Sequence, residues 1–425
     1  MKRRVVVTGM GVISPNGTSL ENFESALRRG ESGIRYIPVL EELNFGCTVG
    51  GVPQGVDELA AFNFDEEELL AMNMNHRYGS LAALQAWKDA GFERPERADD
   101  RVYWEAGAII GSGIGGIHTI AEKLVPTVKS GRVRRLGSTL VEQIMGSGVS
   151  ARVSGLLALG NKVSSNSAAC STGNEAIADG YLRIKCGLAE RMLCGGSESS
   201  SYYIWAGFDA MKVLARKYND TPERASRPMS ASAAGFVPSS GAAILHLENL
   251  ENAQKRGVRI YAEVLGAALN CGGHRNGGSM TAPNPVSVQR CIKAALSDAG
   301  IGPEAIDVIN GHLTATFADP SEIASWAAAL ERMPGKLPFV ISTKSMVGHA
   351  LGAAGAIESV ATVLMLHRGF VHPSINCEDV HPEIEPYANS IPHETKDLPE
   401  LRTAIKAGFG FGDVNACLVF RKWES

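Results

Sequence analysis

Short apolar, β-branched runs alternate along this chain with longer stretches whose apolar residues recur at helical spacing, the pattern of an α/β protein. Arg4 to Thr8 reads as a buried strand, Gly9 and Gly11 as the turn after it, and a helix is predicted to open near Ser19. Gly79 to Gly91 reads as an amphipathic helix, and Glu105 to Ile110 as a strand running into Gly111-Ser112-Gly113-Ile114-Gly115-Gly116. Lys162 to Ser165 is a short β-branched segment, and Asn174 to Ile184 carries helical spacing again. Strands follow at Arg191 to Gly196 and Ala242 to Glu248. Beyond a helix closing at Gly257, Val258 to Gly266 repeats the start of the chain: basic residue, β-branched strand, glycine turn, polar loop, then a long helix, here Val286 to Gly300. The repeat divides the chain into an N-terminal half, residues 1–255, and a C-terminal half of similar design, residues 256–425. Alternating strands and helices predict mixed sheets covered on both faces.

Composition narrows the possibilities. With 20% charged residues, 44% hydrophobic residues and a net charge of -4, the surface exerts no global pull toward nucleic acid or membrane. No apolar run reaches spanning length, and the basic N-terminus leads into a run interrupted at Gly9, which reads as a strand and not as a signal peptide. Eight cysteines without a C-x-x-C pair indicate neither a zinc cage nor a disulfide framework, and fit a reducing, cytoplasmic location. The run from Gly111 to Gly116 matches the dinucleotide pattern G-x-G-x-x-G, but the acid expected about 20 residues on is missing from Arg132-Val133-Arg134-Arg135-Leu136. A tight glycine loop is the better reading.

Candidate chemistry lies in four segments. Ser167-Ala168-Ala169-Cys170-Ser171-Thr172-Gly173 places a cysteine at a strand-to-helix turn, where small neighbours let a substrate approach and the helix N-terminus favours the thiolate. Two histidines, His312 and His349, each sit just past a strand's carboxyl end, where α/β sheets build their sites. Lys344 lies in the second histidine loop, a place that suggests pairing with Asp319, Glu322 or Glu358. Near the end, Gly408-Phe409-Gly410-Phe411-Gly412 could aim an N–H at a ligand and use a phenyl ring as a lid.

Taken together, Ala-Ala-Cys-Ser-Thr-Gly, Asn-x-His-x-Thr-x-Thr, Lys-Ser-x-x-Gly-His-x-x-Gly-Ala-Ala-Gly and Gly-Phe-Gly-Phe-Gly resemble the β-ketoacyl-acyl carrier protein synthases of the elongating type, over nearly the whole chain. The resemblance implies a thiolase-like fold, two related halves in five layers αβαβα, and a homodimer. It implies that Cys170 takes the acyl chain, that His312 and His349 assist decarboxylation of malonyl-carrier protein, and that Lys344, Asp319, Glu322 and Glu358 are charged support for the pair. The oxyanion would sit between the N–H groups of Cys170 and Phe411, Phe411 with Gly410 and Gly412 would form the gate, and Thr314 and Thr316 would bond the pantetheine arm. Acyl carrier protein is the implied partner, its phosphopantetheine carrying the substrates, with no metal or redox cofactor.

Three departures from the family pattern stand out. Leu313 replaces the usual glycine after the first histidine and is expected to narrow the malonyl side or shift the loop. The stretch from Met229 to Gly241 has lost the charges usual there, and Asp413 stands in the gate sequence where glycine is usual. A thiolase using coenzyme A needs a second reactive cysteine, and Cys417 lies inside the terminal strand. A non-catalytic partner subunit resembling chain-length factors would have lost the nucleophile, which Cys170 retains. The densest basic run, Lys129, Arg132, Arg134 and Arg135, is a candidate docking element for an acidic carrier protein.

Overall fold

The computed structural model describes residues 3–424. Its ten-stranded mixed sheet repeats one design twice. In the N-terminal half the order outward from the middle is Val5–Ile13, Gly241–Asn249, Arg191–Glu198, Ala106–Gly111, Val163–Ser164. In the C-terminal half it is Ala262–Cys271, Val414–Lys422, Thr403–Gly410, Val308–Asn310, Phe339–Ile341. Both halves have two antiparallel pairings followed by two parallel ones. Within the sheet the two halves are joined where Val5, Val6 and Val7 pair with Val264, Glu263 and Ala262.

Two helices, Thr172–Lys185 and Ala354–Arg368, pack on each other and touch strands of both halves, which makes them the central layer. The second is buried from Ala354 through Leu366, so it is apolar nearly all round. Met74–Asp89 covers the outer face of the first half; Pro285–Ala299, backed by Asp319–Ala329, covers that of the second. The layers run α, β, α, β, α, as the resemblance implies.

Two glycine turns in the sequence reading are not turns. The first strand continues through Gly9 and Gly11 to Ile13, with a bulge after Val7. A Cβ on Gly9 would lie 2.3 Å from the Ala86 carbonyl oxygen, and one on Gly11 2.0 Å from that of Ala82, so these glycines let the helix Met74–Asp89 lie against the strand. Asp89 and Gln85 of that helix accept the N–H groups of Met10 and Val12, each at 3.0 Å. Gly266 does the same in the second half, where a Cβ would meet the Ala299 nitrogen at 2.5 Å. The strand there begins at Ala262, later than the pattern predicts, and runs through Gly266 to Cys271. Among the described residues no helix is long and apolar enough to cross a membrane.

Candidate active site

Cys170 sits in a single 3-10 turn, Ala169–Ser171, between Val163–Ser164 and the central helix Thr172–Lys185. Ala169 has φ +47°, a left-handed conformation that costs a residue with a Cβ and needs support. Thr172 supplies it: its hydroxyl accepts the Ala168 N–H at 2.8 Å and donates to the Ala169 carbonyl at 2.7 Å. The Ser171 hydroxyl then contacts the Gly408 and Val414 carbonyls, at 2.9 and 3.1 Å, fastening the turn to the two strands that flank Phe411. A Cβ on Gly410 would stand 2.8 Å from the Ala168 oxygen and 3.1 Å from the Cys170 nitrogen, so glycine is what brings the Phe411 N–H to the sulfur.

His349 occupies the corresponding place in the other half, after Phe339–Ile341 and before Ala354–Arg368. Its backbone is held by the charge-poor stretch: His349 donates to the Val237 carbonyl at 2.8 Å, and Ser239 donates to the His349 carbonyl at 3.0 Å. Its Nδ1 accepts the Leu351 N–H at 3.2 Å, which assigns the proton to Nε2. His312 lies across from it, ring centroids 5.4 Å apart and nearly perpendicular. The Cys170 sulfur and one nitrogen from each ring fall within 4.8 Å of one another. All three line a cavity of about 320 Å³ together with Thr314, Thr316, Gly410 and Phe411. The two threonine hydroxyls are 3.0 Å apart, and Phe411, Phe208, Phe236 and His349 make successive ring contacts over the cavity.

Of the three carboxylates expected as partners of Lys344, Glu358 is the one it meets. Lys344 pairs with Glu358 and donates to the His312 carbonyl at 2.6 Å. Asp319 and Glu322 make no ion pair with it. Glu322 accepts the N–H groups of His312 and Leu313 at 2.7 and 2.8 Å; Asp319 accepts those of Thr314, Ala315 and Met229 at 2.9, 3.1 and 2.9 Å. A tight loop in which Leu313 has φ +24° and Ala315 φ +64° turns its N–H groups inward, and two carboxylates at the start of the next helix satisfy them. Leu313 therefore does not narrow the malonyl side: its side chain is fully buried in the apolar core of the C-terminal half, away from the cavity wall.

Burial pushes the Cys170 thiol up to about 11, against the pull of Lys344 and the Phe411 N–H. Cys170 thus rests as the thiol, not as the thiolate that the helix N-terminus alone suggested. Burial, then the Lys344 and Lys406 ammonium groups, hold both imidazoles well below their ordinary range. They are neutral N–H donors at pH 7. Burial also raises Asp319, and Glu322 to about 7.

Gly412 and Asp413 are fastened rather than loose. Asp413, buried and at φ +60°, accepts the N–H groups of Asn284 and His274 at 2.8 and 3.1 Å, while Gly412 donates to the Met280 carbonyl at 2.8 Å. The turn after Phe411 is thereby stapled to the cavity-lining loop 272–284. Sequence reasoning also missed Lys406, whose ammonium lies 2.6 Å from Glu358. A lysine inside the otherwise apolar run Ala404-Ile405-Lys406-Ala407-Gly408-Phe409 was the available signal. Lys129, Arg132, Arg134 and Arg135 are all exposed.

The duplicated five-layer architecture places the molecule in the thiolase-like class, and known proteins sharpen that assignment. Residues 2–253 match the β-ketoacyl synthase N-terminal domain and residues 261–378 the C-terminal domain. The chain belongs to the β-ketoacyl synthase family. It is 35% identical to 3-oxoacyl-[acyl-carrier-protein] synthase 1 of Haemophilus influenzae, over 99% of this chain and all of that one. A β-ketoacyl synthase from Burkholderia phymatum has a similar structure, TM-score 0.89 at 30% identity, with both chains fully covered. So does a type II polyketide ketosynthase solved in complex with its acyl-carrier protein, TM-score 0.87 at 28% identity over the whole of both chains.

Proposed function

We propose that this enzyme is a β-ketoacyl-acyl carrier protein synthase, which joins an acyl group to malonyl-carrier protein with loss of carbon dioxide. The observation that carries the reading is the meeting of the Cys170 sulfur with one nitrogen from each of two neutral histidines in one cavity. In the first half-reaction the sulfur attacks the acyl thioester, the carrier's C–S bond breaks, and the thiol proton ends on the departing carrier sulfur. Malonyl-carrier protein then enters, its pantetheine arm beside Thr314 and Thr316. N–H donors from His312 and His349 stabilise the enolate formed as carbon dioxide leaves. The enolate carbon attacks the acyl-Cys170 carbonyl, the oxyanion accepts the N–H groups of Cys170 and Phe411, and collapse breaks the bond to Cys170 sulfur, which leaves as thiolate and takes a proton from water. These steps call on no metal or redox cofactor.

The partner in this reading is an acyl carrier protein, and the exposed basic run at Lys129 to Arg135 supports its docking. A cytoplasmic homodimer completes the proposal. The edge strand Val163–Ser164, bordered by exposed Trp104 and Val102, supports a second copy there. The test is carbon dioxide release from malonyl-carrier protein by acyl-loaded enzyme. Release with β-ketoacyl product, abolished by Cys170→Ala and depressed by His312→Ala, is expected; no release with any acyl donor would refute the reading in favour of a partner subunit.

A further inference from the structure

Lys406 is fully buried in the strand that leads to Phe411, at a position where an apolar side chain would serve the core. Its ammonium lies 2.6 Å from one oxygen of Glu358 and 3.3 Å from the Gly311 carbonyl, and also contacts its neighbour's carbonyl at Ala407. The other Glu358 oxygen faces Lys344, which in turn donates to the carbonyl of His312. One carboxylate thus sits between two ammonium groups. Each ammonium has three N–H donors, so Lys344 meets Glu358 and the His312 carbonyl together, while Lys406 occupies the second carboxylate oxygen and holds Glu358 in place between the two.

We propose that Lys406 is a positioning residue for the decarboxylation step: by taking one oxygen of Glu358 it fixes the carboxylate that orients Lys344 beneath the His312 carbonyl, and it places a second positive charge behind the two imidazoles. The inference rests on the function proposed above. The charged and titratable groups facing this ammonium come from every neighbouring element: Glu358 from the central helix, Lys344 from the turn before it, and Glu322 from the helix after the first histidine loop. His312 and His349 both feel its charge, as does Cys417 beside Cys291 on the core side. Glu358 is the only one of these carboxylates in direct contact with it. Burial is the larger cause of the rings' neutrality, and the two ammonium groups against that one carboxylate add to it by disfavouring imidazolium, while burial and Lys344 lower Lys406 itself.

The test compares Lys406→Met and Lys406→Arg with the unaltered enzyme, following carbon dioxide release from malonyl-carrier protein between about pH 4 and 8.5, with Cys170 acylation measured in parallel. Loss of the charge should move the acid limb of decarboxylation up by about one pH unit, equivalent to a tenfold smaller neutral-imidazole fraction on the acid side. Acylation should stay within about threefold, and the arginine variant should keep the original limb. A uniform loss at every pH with an unmoved limb, or a moved limb in Lys406→Arg, overturns the proposal. If Lys406→Met does not fold, imidazole titration by NMR in the unaltered enzyme decides: rings that gain protons near their ordinary value of about 6.5 overturn it. Failure of the unaltered enzyme to release carbon dioxide overturns the function and this role together, whereas release with an unmoved limb overturns the role of Lys406 alone.

Discussion

Cys170 and His349 hold equivalent positions in the two halves, each following the outermost parallel strand and preceding one of the two central helices. Because those helices pack on each other, the duplicated design brings the two loops to one cavity. The candidate nucleophile and one candidate donor are therefore carried to one cavity by rigid elements, with the loops that hold them completing the placement.

Gly410 tests the proximity of the gate strand to the nucleophile. A methyl group there meets backbone at 2.8 and 3.1 Å and the branched Val414 side chain at 3.0 Å. Gly410→Ala should lower condensation by about 10²–10³-fold through loss of the Phe411 donor. Overpacking should destabilise the fold by about 1–3 kcal/mol. Wild-type turnover in the alanine variant would show that the Phe411 N–H does no work on the reacting carbonyl.

Glu322→Gln tests the carboxylate beneath the first histidine. The amide presents an NH2 where two backbone N–H groups need acceptors, so at least one bond is lost, at about 1–3 kcal/mol. Decarboxylation should fall by about 10- to 100-fold while acylation of Cys170 changes little. Equal losses in both half-reactions would assign Glu322 to general stability.

Asp413→Gly removes the staple without backbone strain, since glycine adopts φ near +60° freely. Amide exchange at Asn284 and His274 should accelerate by about tenfold or more, the loss of charge-assisted bonds. The apparent KM for carrier-bound substrate should change along with it. Unaltered exchange would mean that loop 272–284 is ordered independently of the gate.

Acid stability can be probed at His246, which is wholly buried beside Thr8 and held down to about 3 by burial and then by Arg191 and Arg256. Its folded value lies below the unfolded value of about 6.5, so the unfolded chain binds the extra proton. Stability from this group is complete above about pH 6.5 and is lost as pH falls toward 3. His246→Gln should flatten the fall by up to one proton, about 1.4 kcal/mol per pH unit, in urea unfolding measured at several pH values. An unchanged slope would mean that His246 is protonated within the fold.

Much of this site was readable along the chain. The four segments around Cys170, His312, His349 and Phe411 are local patterns, and the alternation of strand and helix that places them depends on residues a few positions apart. What periodicity could not supply was distance between remote backbones. Gly9 and Gly266 looked like turns because a glycine that ends a strand and one that admits a helix are the same letter; only the carbonyl of Ala86 and the nitrogen of Ala299 distinguish them. Asp319 and Glu322 looked like ion-pair partners because carboxylates near a lysine usually are, yet the strained loop 312–316 needed acceptors more. Lys406 was hidden by its apolar surroundings until the fold set Glu358 beside it. The sequence by itself determined the candidate reacting groups and the duplicated α/β order, both written in short-range pattern. Tertiary structure alone decided which charges pair, which glycines are packed against, and how the gate is tied down, because those depend on contacts between residues tens to hundreds of positions apart.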